Sequence, residues 1–381
     1  MTQAQSDDQI GGTGITDGTG TDVKFAIAHD YLTQTGGAER VVLAMARGLN
    51  VTDIATSFYD AESTFTEFRD FEVHASMKGI TALTRRDPRV VFPAMRTAIK
   101  RITVPECDVL LCSSSGWAHA VESDVPKVVY FHSPARWLYA DSDYFRGRAR
   151  YLKHILAPQL AALKKWDFAA SKTADHVFAN SNVVAARIKS AYGIDAEVLH
   201  PPTAIEINGD SHKPEKLADD EPFFITIARA RGYKHTDFVI EAAEKSGTKL
   251  VVVGQESPTE TDSANTVLLG RVTDSELRWL YRNCTGLVAA AHEDFGLTPI
   301  EANAYGKPVV ALRSGGYLDT TVEGVSGLFF DELTSDAISG AITDCAQQQW
   351  NTAEIMKNAD RFGVEAFAQK IRNVATALVR G

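Results

Sequence analysis

Cysteine is scarce. Cys107, Cys112, Cys284 and Cys345 are the only four in 381 residues, and none pair at the spacing of a metal site. They read as reduced, mostly packed thiols of a cytoplasmic protein and not as a disulfide framework. Long apolar runs are missing too. None approaches the ~18 residues that a bilayer-spanning helix requires. Residues 1–20 contain neither Lys nor Arg, which argues against a secretory leader with a basic start. Positive charge is in deficit overall, with 39 Lys and Arg against 49 Asp and Glu, so bulk charge excludes a protein that coats nucleic acid. No GxGxxG follows the first strand candidate, which disfavours a hydride-transfer enzyme. No internal repeat stands out.

What remains is a chain of ordinary globular composition, 44% apolar and 23% charged. Its length suits two to three domains at about 150 residues each. Residues 1–21 are rich in Gly, Thr and Asp and nearly free of large apolar groups, so a disordered tail is expected. Beyond them, short apolar runs alternate with helical patterns. VKFAIA (23–28), DVLLC (108–112), KVVYF (127–131) and HVFA (176–179) read as buried strands. Helices are expected over 39–49 and over 181–193, the second with a Ser/Asn start and Gly193 as its stop. After a polar stretch with two prolines (203–222) the pattern restarts with FFITIA (223–228), KLVVVG (249–254), TVLLG (266–270), GLVAAA (286–291) and KPVVAL (307–312). Between them, Thr273 and Glu276 open a helix as a capping box. Strand–helix alternation predicts an α/β protein of two Rossmann-like domains, whose parallel sheets face each other across a cleft.

The segment HEDFGLTPIEANAYGKPVVA (292–311) holds the densest chemistry. Glu293 and Glu301 bracket Phe295, Gly296, Leu297, Thr298 and Pro299, and the proline suits the first turn of a helix. Amides around Gly296 to Thr298 would then offer an anion site at a helix N-terminus. A competing reading is purely local: Thr298 to Glu301 has the spacing of a capping box, in which Glu301 satisfies a backbone N–H. Arg229 and Lys234 lie between a strand and a helix, where two cations could hold a diphosphate. Gly36-Gly37 lies between the first strand and the first helix and permits close backbone approach to a ligand. His132 ends a strand, a position more often structural than catalytic.

These pieces occur together, in order, with VVYFHSPARW (128–137) and FANSNVVAARI (178–188). In that combination the chain resembles the retaining glycosyltransferases of family 4, with the two-domain fold called GT-B, and within them the bacterial mannosyltransferases of O-antigen and exopolysaccharide type. The resemblance implies an N-terminal acceptor-side domain over 22–204, a nucleotide-sugar-binding domain over 205–360, and a C-terminal helix (361–381) that packs back on the first domain. It implies that Glu301 binds the donor ribose and that Glu293 sits by the transferred sugar. Arg229 and Lys234 would grip the diphosphate, Leu297 and Thr298 would assist through their amides, and the backbone near Arg271 and Val272 would line the base pocket. Gly36 and Gly37 would let the domains close, and His132 would line the reaction centre. The donor would be GDP-mannose or another nucleotide sugar, UDP-sugars included. The acceptor would be a glycan or a lipid-linked glycan. A catalytically silent nucleotide-sugar-binding subunit is the non-enzymatic alternative. One departure is visible: the family often has glycine after the lysine, where this chain has His235.

No evident nucleophilic carboxylate is present, so front-side attack assisted by the leaving phosphate is expected, without a metal cofactor. Asp141 and Asp143 mimic a metal-binding DxD but lie outside a nucleotide-binding context. Residues 74–172 carry 16 Lys and Arg against 8 Asp and Glu. Their basic amphipathic stretches, 77–102 and 144–166, suit an anionic membrane surface or a lipid-diphosphate acceptor.

Overall fold

The computed structural model describes residues 23–77, 92–139, 157–203, 207–217, 221–228, 234–254 and 263–381. The tail 1–21, Arg229, Asp141, Asp143, residues 78–91 of the basic stretch 77–102 and residues 144–156 of the stretch 144–166 lie outside the described residues.

Two parallel sheets organise the chain. The first has seven strands in the order β3-β2-β1-β4-β5-β6-β7. They are β1 (Phe25–His29), β2 (Asp53–Thr56), β3 (Glu72–Ala75), β4 (Val109–Ser114), β5 (Lys127–Phe131), β6 (His176–Ala179) and β7 (Glu197–Val198). Its helices are α1 (Gly37–Gly48), α2 (Phe92–Lys100), α3 (Arg136–Tyr139), α4 (Ala157–Ser171) and α5 (Asn182–Tyr192). The second sheet has six strands in the order β10-β9-β8-β11-β12-β13. These are β8 (Phe223–Ile227), β9 (Lys249–Val253), β10 (Thr266–Gly270), β11 (Gly286–Ala289), β12 (Val309–Leu312) and β13 (Gly327–Phe330). Between and after them come α6 (Thr236–Ser246), α7 (Asp274–Asn283), α8 (Leu297–Ala304), α9 (Tyr317–Thr320), α10 (Ser335–Gln347), α11 (Thr352–Asp360) and α12 (Val364–Arg380).

Continuous apolar runs form the central strands because both faces of each are covered. Every residue of β1 and of β5 is buried. The period of two divides them between layers. Phe25, Ile27, Leu111, Val128 and Tyr130 join α1 and α12 on one face, whereas Ala26, Ala28, Leu110, Val129 and Phe131 join α2 and α5 on the other. The second domain closes around one core built on β8, β9, β11 and β12. Local signals set the helix ends. Ser181 accepts from the Val184 amide and Gly193 ends α5 in a left-handed conformation. Thr273 and Glu276 form both halves of the capping box of α7.

The C-terminal helix crosses back. Phe367, Ala368, Ile371 and Ala375 of α12 are buried in the first domain's core, with Phe367 edge-on to Tyr130. Arg372 donates to the Gly48 carbonyl at 2.5 Å. The two interdomain crossings of the chain touch: the Thr203 amide donates to the Phe362 carbonyl at 3.0 Å.

One buried carboxylate shapes the cleft edge of the first sheet. Asp30, directly after β1, accepts four backbone N–H bonds, from Ser115, Gly116, Trp117 and Ala118, at 2.5 to 2.9 Å. It therefore fixes the turn after β4 to the end of β1, and a buried carboxylate is tolerated because four donors replace its water.

Candidate active site

In a parallel sheet every strand ends on the same edge, so the loops after the strands gather there. In the first domain that edge carries His29, Ser113 and His132, at the ends of β1, β4 and β5. All three are buried, and His132 is 8% exposed. His29 Nδ1 lies 2.9 Å from the Ser113 carbonyl and 3.1 Å from Ser113 Oγ, which in turn lies 2.8 Å from His132 Nε2. Burial, with a smaller contribution from His29, pushes His132 down to about 3, so its ring is uncharged at neutral pH.

The second domain supplies the facing groups. Lys234 Nζ lies 2.5 Å from Glu293 Oε1, and both side chains are largely buried, at 13% and 19% exposure. The loop carrying Glu293 is clamped by a second glycine pair that the sequence reading did not single out. Gly315 has φ +62°, and a Cβ there would fall 2.3 Å from the Glu293 carbonyl. The Gly316 amide donates to that same carbonyl at 2.9 Å. The repeated Gly after a strand candidate was the available signal.

Phe295 is buried, stacked on His200 and edge-on to Phe362. Gly296 is the N-cap of α8, with φ 95°, and no side chain caps that helix. Leu297 and Thr298 open its first turn, where amides and dipole suit an anion. This disposes of the capping-box alternative. The helix begins before Thr298, so Glu301 lies five residues past the N-cap. Its Oε2 instead accepts from the Tyr281 hydroxyl at 2.9 Å, in a buried setting. Burial and the neighbouring Glu301 carboxylate hold the Tyr281 phenol well above its ordinary range, so it remains the donor.

Gly36 is the N-cap of α1. Gly37 faces the second domain: a Cβ placed there would lie 3.2 Å from Leu297 Cδ1. Arg271 and Val272 follow β10, Arg271 exposed and Val272 packed on the second core. His235 adopts φ 50°, ψ 39°, the left-handed conformation that glycine takes with less strain. Of the candidate residues named from the sequence, Lys234 pairs with Glu293 and Gly37 approaches Leu297 across the two domains, whereas Arg271 and Val272 follow β10 at the carboxyl edge of the second sheet. The group Asp53, Glu72 and His74, whose atoms lie within 4.8 Å of one another, is elsewhere. It sits on β2 and β3, with Asp53 and Glu72 at the amino ends of their strands.

The comparisons with known proteins agree with this geometry. Residues 35–206 match Glycosyltransferase Family 4, and residues 208–362 match Glycosyl transferases group 1. The chain belongs to the family 4 glycosyltransferases. The transferase is 23% identical to the alpha-1,3/1,6-mannosyltransferase ALG2 of Dictyostelium discoideum over 432 residues, covering 94% of this chain and 99% of that protein. It is 26% identical to O-antigen chain mannosyltransferase C of Escherichia coli over 169 residues, 40% of this chain and 42% of that one. The crystal structure of Anabaena Alr3699/HepE in complex with UDP and glucose superposes with a TM-score of 0.65 at 20% identity, over 93% of this chain and 100% of that one. The fold is accordingly GT-B, and the enzyme is a nucleotide-sugar-dependent transferase.

Two measurements follow from these contacts. Replacing Glu301 by Gln keeps the Tyr281 bond and removes a charge from the cleft. The expected result is weaker nucleotide binding by calorimetry with little change in melting temperature; the reverse pattern would return Glu301 to a structural role. The depressed His132 makes the fold sensitive to acid. Its folded value lies below the unfolded 6.5, so stability is full above pH 6.5 and is lost as pH falls from there toward about 3. At pH 5 the loss from this group is about 2 kcal/mol. Urea unfolding of wild type and His132→Asn at pH 7.5 and pH 5 should show that difference only in the wild type.

Proposed function

We propose that the enzyme transfers mannose from GDP-mannose, with retention of configuration, to a glycan or lipid-linked glycan used in cell-envelope polysaccharide or glycolipid synthesis. The observation that carries this reading is the Lys234–Glu293 pair beside the uncapped N-terminus of α8. Similarity to a mannosyltransferase along nearly the whole chain supports the sugar.

On this reading Lys234, with Arg229, and the first-turn amides of α8 neutralise the charge that develops on the diphosphate, and Glu293 holds the sugar that becomes positive. The bond from the acceptor oxygen to the anomeric carbon forms on the face from which the phosphate leaves. The bond from that carbon to the phosphate oxygen breaks, and the acceptor proton passes to the departing phosphate oxygen. No covalent enzyme intermediate is needed. Glu301 binds the ribose, and the backbone by Arg271 and Val272 meets the base. Cations on the protein make a divalent metal unnecessary. No helix among the described residues is long and apolar enough to cross a membrane. We place the enzyme in the cytoplasm, held peripherally at the inner membrane face by its basic stretches.

The decisive experiment incubates the protein with a panel of GDP- and UDP-sugars and follows slow hydrolysis. GDP-mannose turnover is expected, and turnover of UDP-sugars alone would replace the donor. Lys234→Ala should cost about 2–5 kcal/mol in kcat/KM; unchanged turnover would remove Lys234 from the diphosphate. Activity should persist in EDTA, and its rescue by magnesium or manganese after loss would overturn metal independence. The full chain should float with anionic vesicles at low salt and detach at high salt, an Arg85, Arg86, Arg89 triple Ala variant floating less. Equal recovery with neutral vesicles would leave a soluble acceptor.

A further inference from the structure

The three buried groups at the end of the first sheet fix one another's protons. A backbone carbonyl can only accept, so the 2.9 Å contact between the Ser113 carbonyl and His29 Nδ1 requires the His29 proton to be on Nδ1. Protonated there, His29 cannot accept from the Ser113 hydroxyl, although that oxygen lies 3.1 Å away. The remaining acceptor for the Ser113 hydroxyl proton among its described contacts is His132 Nε2, at 2.8 Å. The opposite arrangement, His132 Nε2–H donating to Ser113, would leave a hydroxyl proton with no acceptor on a residue that is 0% exposed. With Nε2 accepting and the ring uncharged, the single imidazole proton of His132 belongs on Nδ1. That nitrogen has no hydrogen-bond partner among the described residues. The rest of the ring is held: Tyr130 and His29 pack edge-on to it, and its carbonyl accepts from Asn180.

We propose that His29 and Ser113 are positioning residues that fix His132 as its Nδ1–H tautomer, so that His132 meets the transferred sugar as a hydrogen-bond donor and not as a base. The part that concerns the sugar rests on the glycosyltransferase reading of the cleft, whereas the tautomer itself does not. The arrangement suits the reaction. A neutral donor can hold a sugar hydroxyl without adding positive charge beside a carbon that is itself becoming positive. A base at this position would compete with the leaving phosphate for the acceptor's proton.

The test separates the two layers. In the full chain labelled with 15N-histidine, long-range proton–nitrogen correlation spectra distinguish the two neutral tautomers, and His132→Asn assigns the His132 signals. The wild type should show a protonated Nδ1 and an unprotonated Nε2 at pH 7.5; a protonated Nε2 would overturn the proposal. Ser113→Ala should shift the ring away from the pure Nδ1–H form, as should His29→Leu. His29→Asn should preserve it, because its amide nitrogen can take the place of Nδ1. An unaltered His132 pattern in Ser113→Ala would overturn the assignment of Ser113. For the catalytic layer, Ser113→Ala should lower kcat for GDP-mannose by about tenfold or more. Its affinity for GDP alone should stay within about twofold of wild type, since GDP lacks the sugar that His132 meets. A shifted tautomer with unchanged kcat would overturn the positioning role. A wild type that shows the Nδ1–H form yet turns over no nucleotide sugar would count against the glycosyltransferase reading and leave the tautomer assignment standing.

Discussion

The segment from Glu293 to Leu297 is held from both domains, and the cleft depends on that double grip. Glu293 faces the site and pairs with Lys234. The Asp294 carboxylate is bound by Arg136 and Arg187 of the first domain, and its carbonyl accepts from Ser181. Phe295 stacks on His200, and Leu297 meets Gly37. Asp319 extends the grip by taking both the backbone amide and the side-chain amide of Asn182, at the start of α5. Five successive residues therefore both supply the candidate chemistry and join the domains. A shift of one domain cannot leave the other's site untouched, because there is no slack chain between the contact and the site.

The two acids use α5 differently. Asp319 meets the helix at its positive end, where an amide and the dipole favour a carboxylate. Asp294 meets cations on long side chains that remain roughly one-third to two-fifths exposed. Water can compete for those ion pairs, so they hold the domains together without making separation prohibitive. The buried contribution comes instead from Phe295 and Phe362, which pack with Ile300 and against His200 of the first domain.

Much of this was legible in the sequence, for a physical reason. Strands covered on both faces are forced to be apolar throughout, so β1, β5, β6 and β9 stand out as runs. The strands β2, β3 and β13 do not, β3 and β13 lying at sheet edges: DIAT and EVHA interrupt their apolar character with charged residues, and GLFF is too short to separate from a loop. Motif residues close in sequence, such as Glu293, Gly296 and Glu301, were visible because one loop and one helix hold them all. Ser113 and His29 were not, since their contact joins positions 84 apart. The Asn182–Asp319 contact joins positions 137 apart. The pattern TPIE resembled a helix cap, and only the true start of α8 at Leu297, after a left-handed Gly296, shows that Glu301 answers to Tyr281 instead.

The return of α12 to the first domain bears on how the chain is made. Synthesis runs from the N-terminus, and domains ordinarily complete themselves as they emerge. Here the face of the first core that Phe367, Ala368, Ile371 and Ala375 will cover stays bare until α12 leaves the ribosome. The domain begun first is thus finished last, after the second has had time to form beside it. Until then α1 and the ring of Tyr130 present an uncovered apolar surface, open to chaperones and to neighbouring nascent chains.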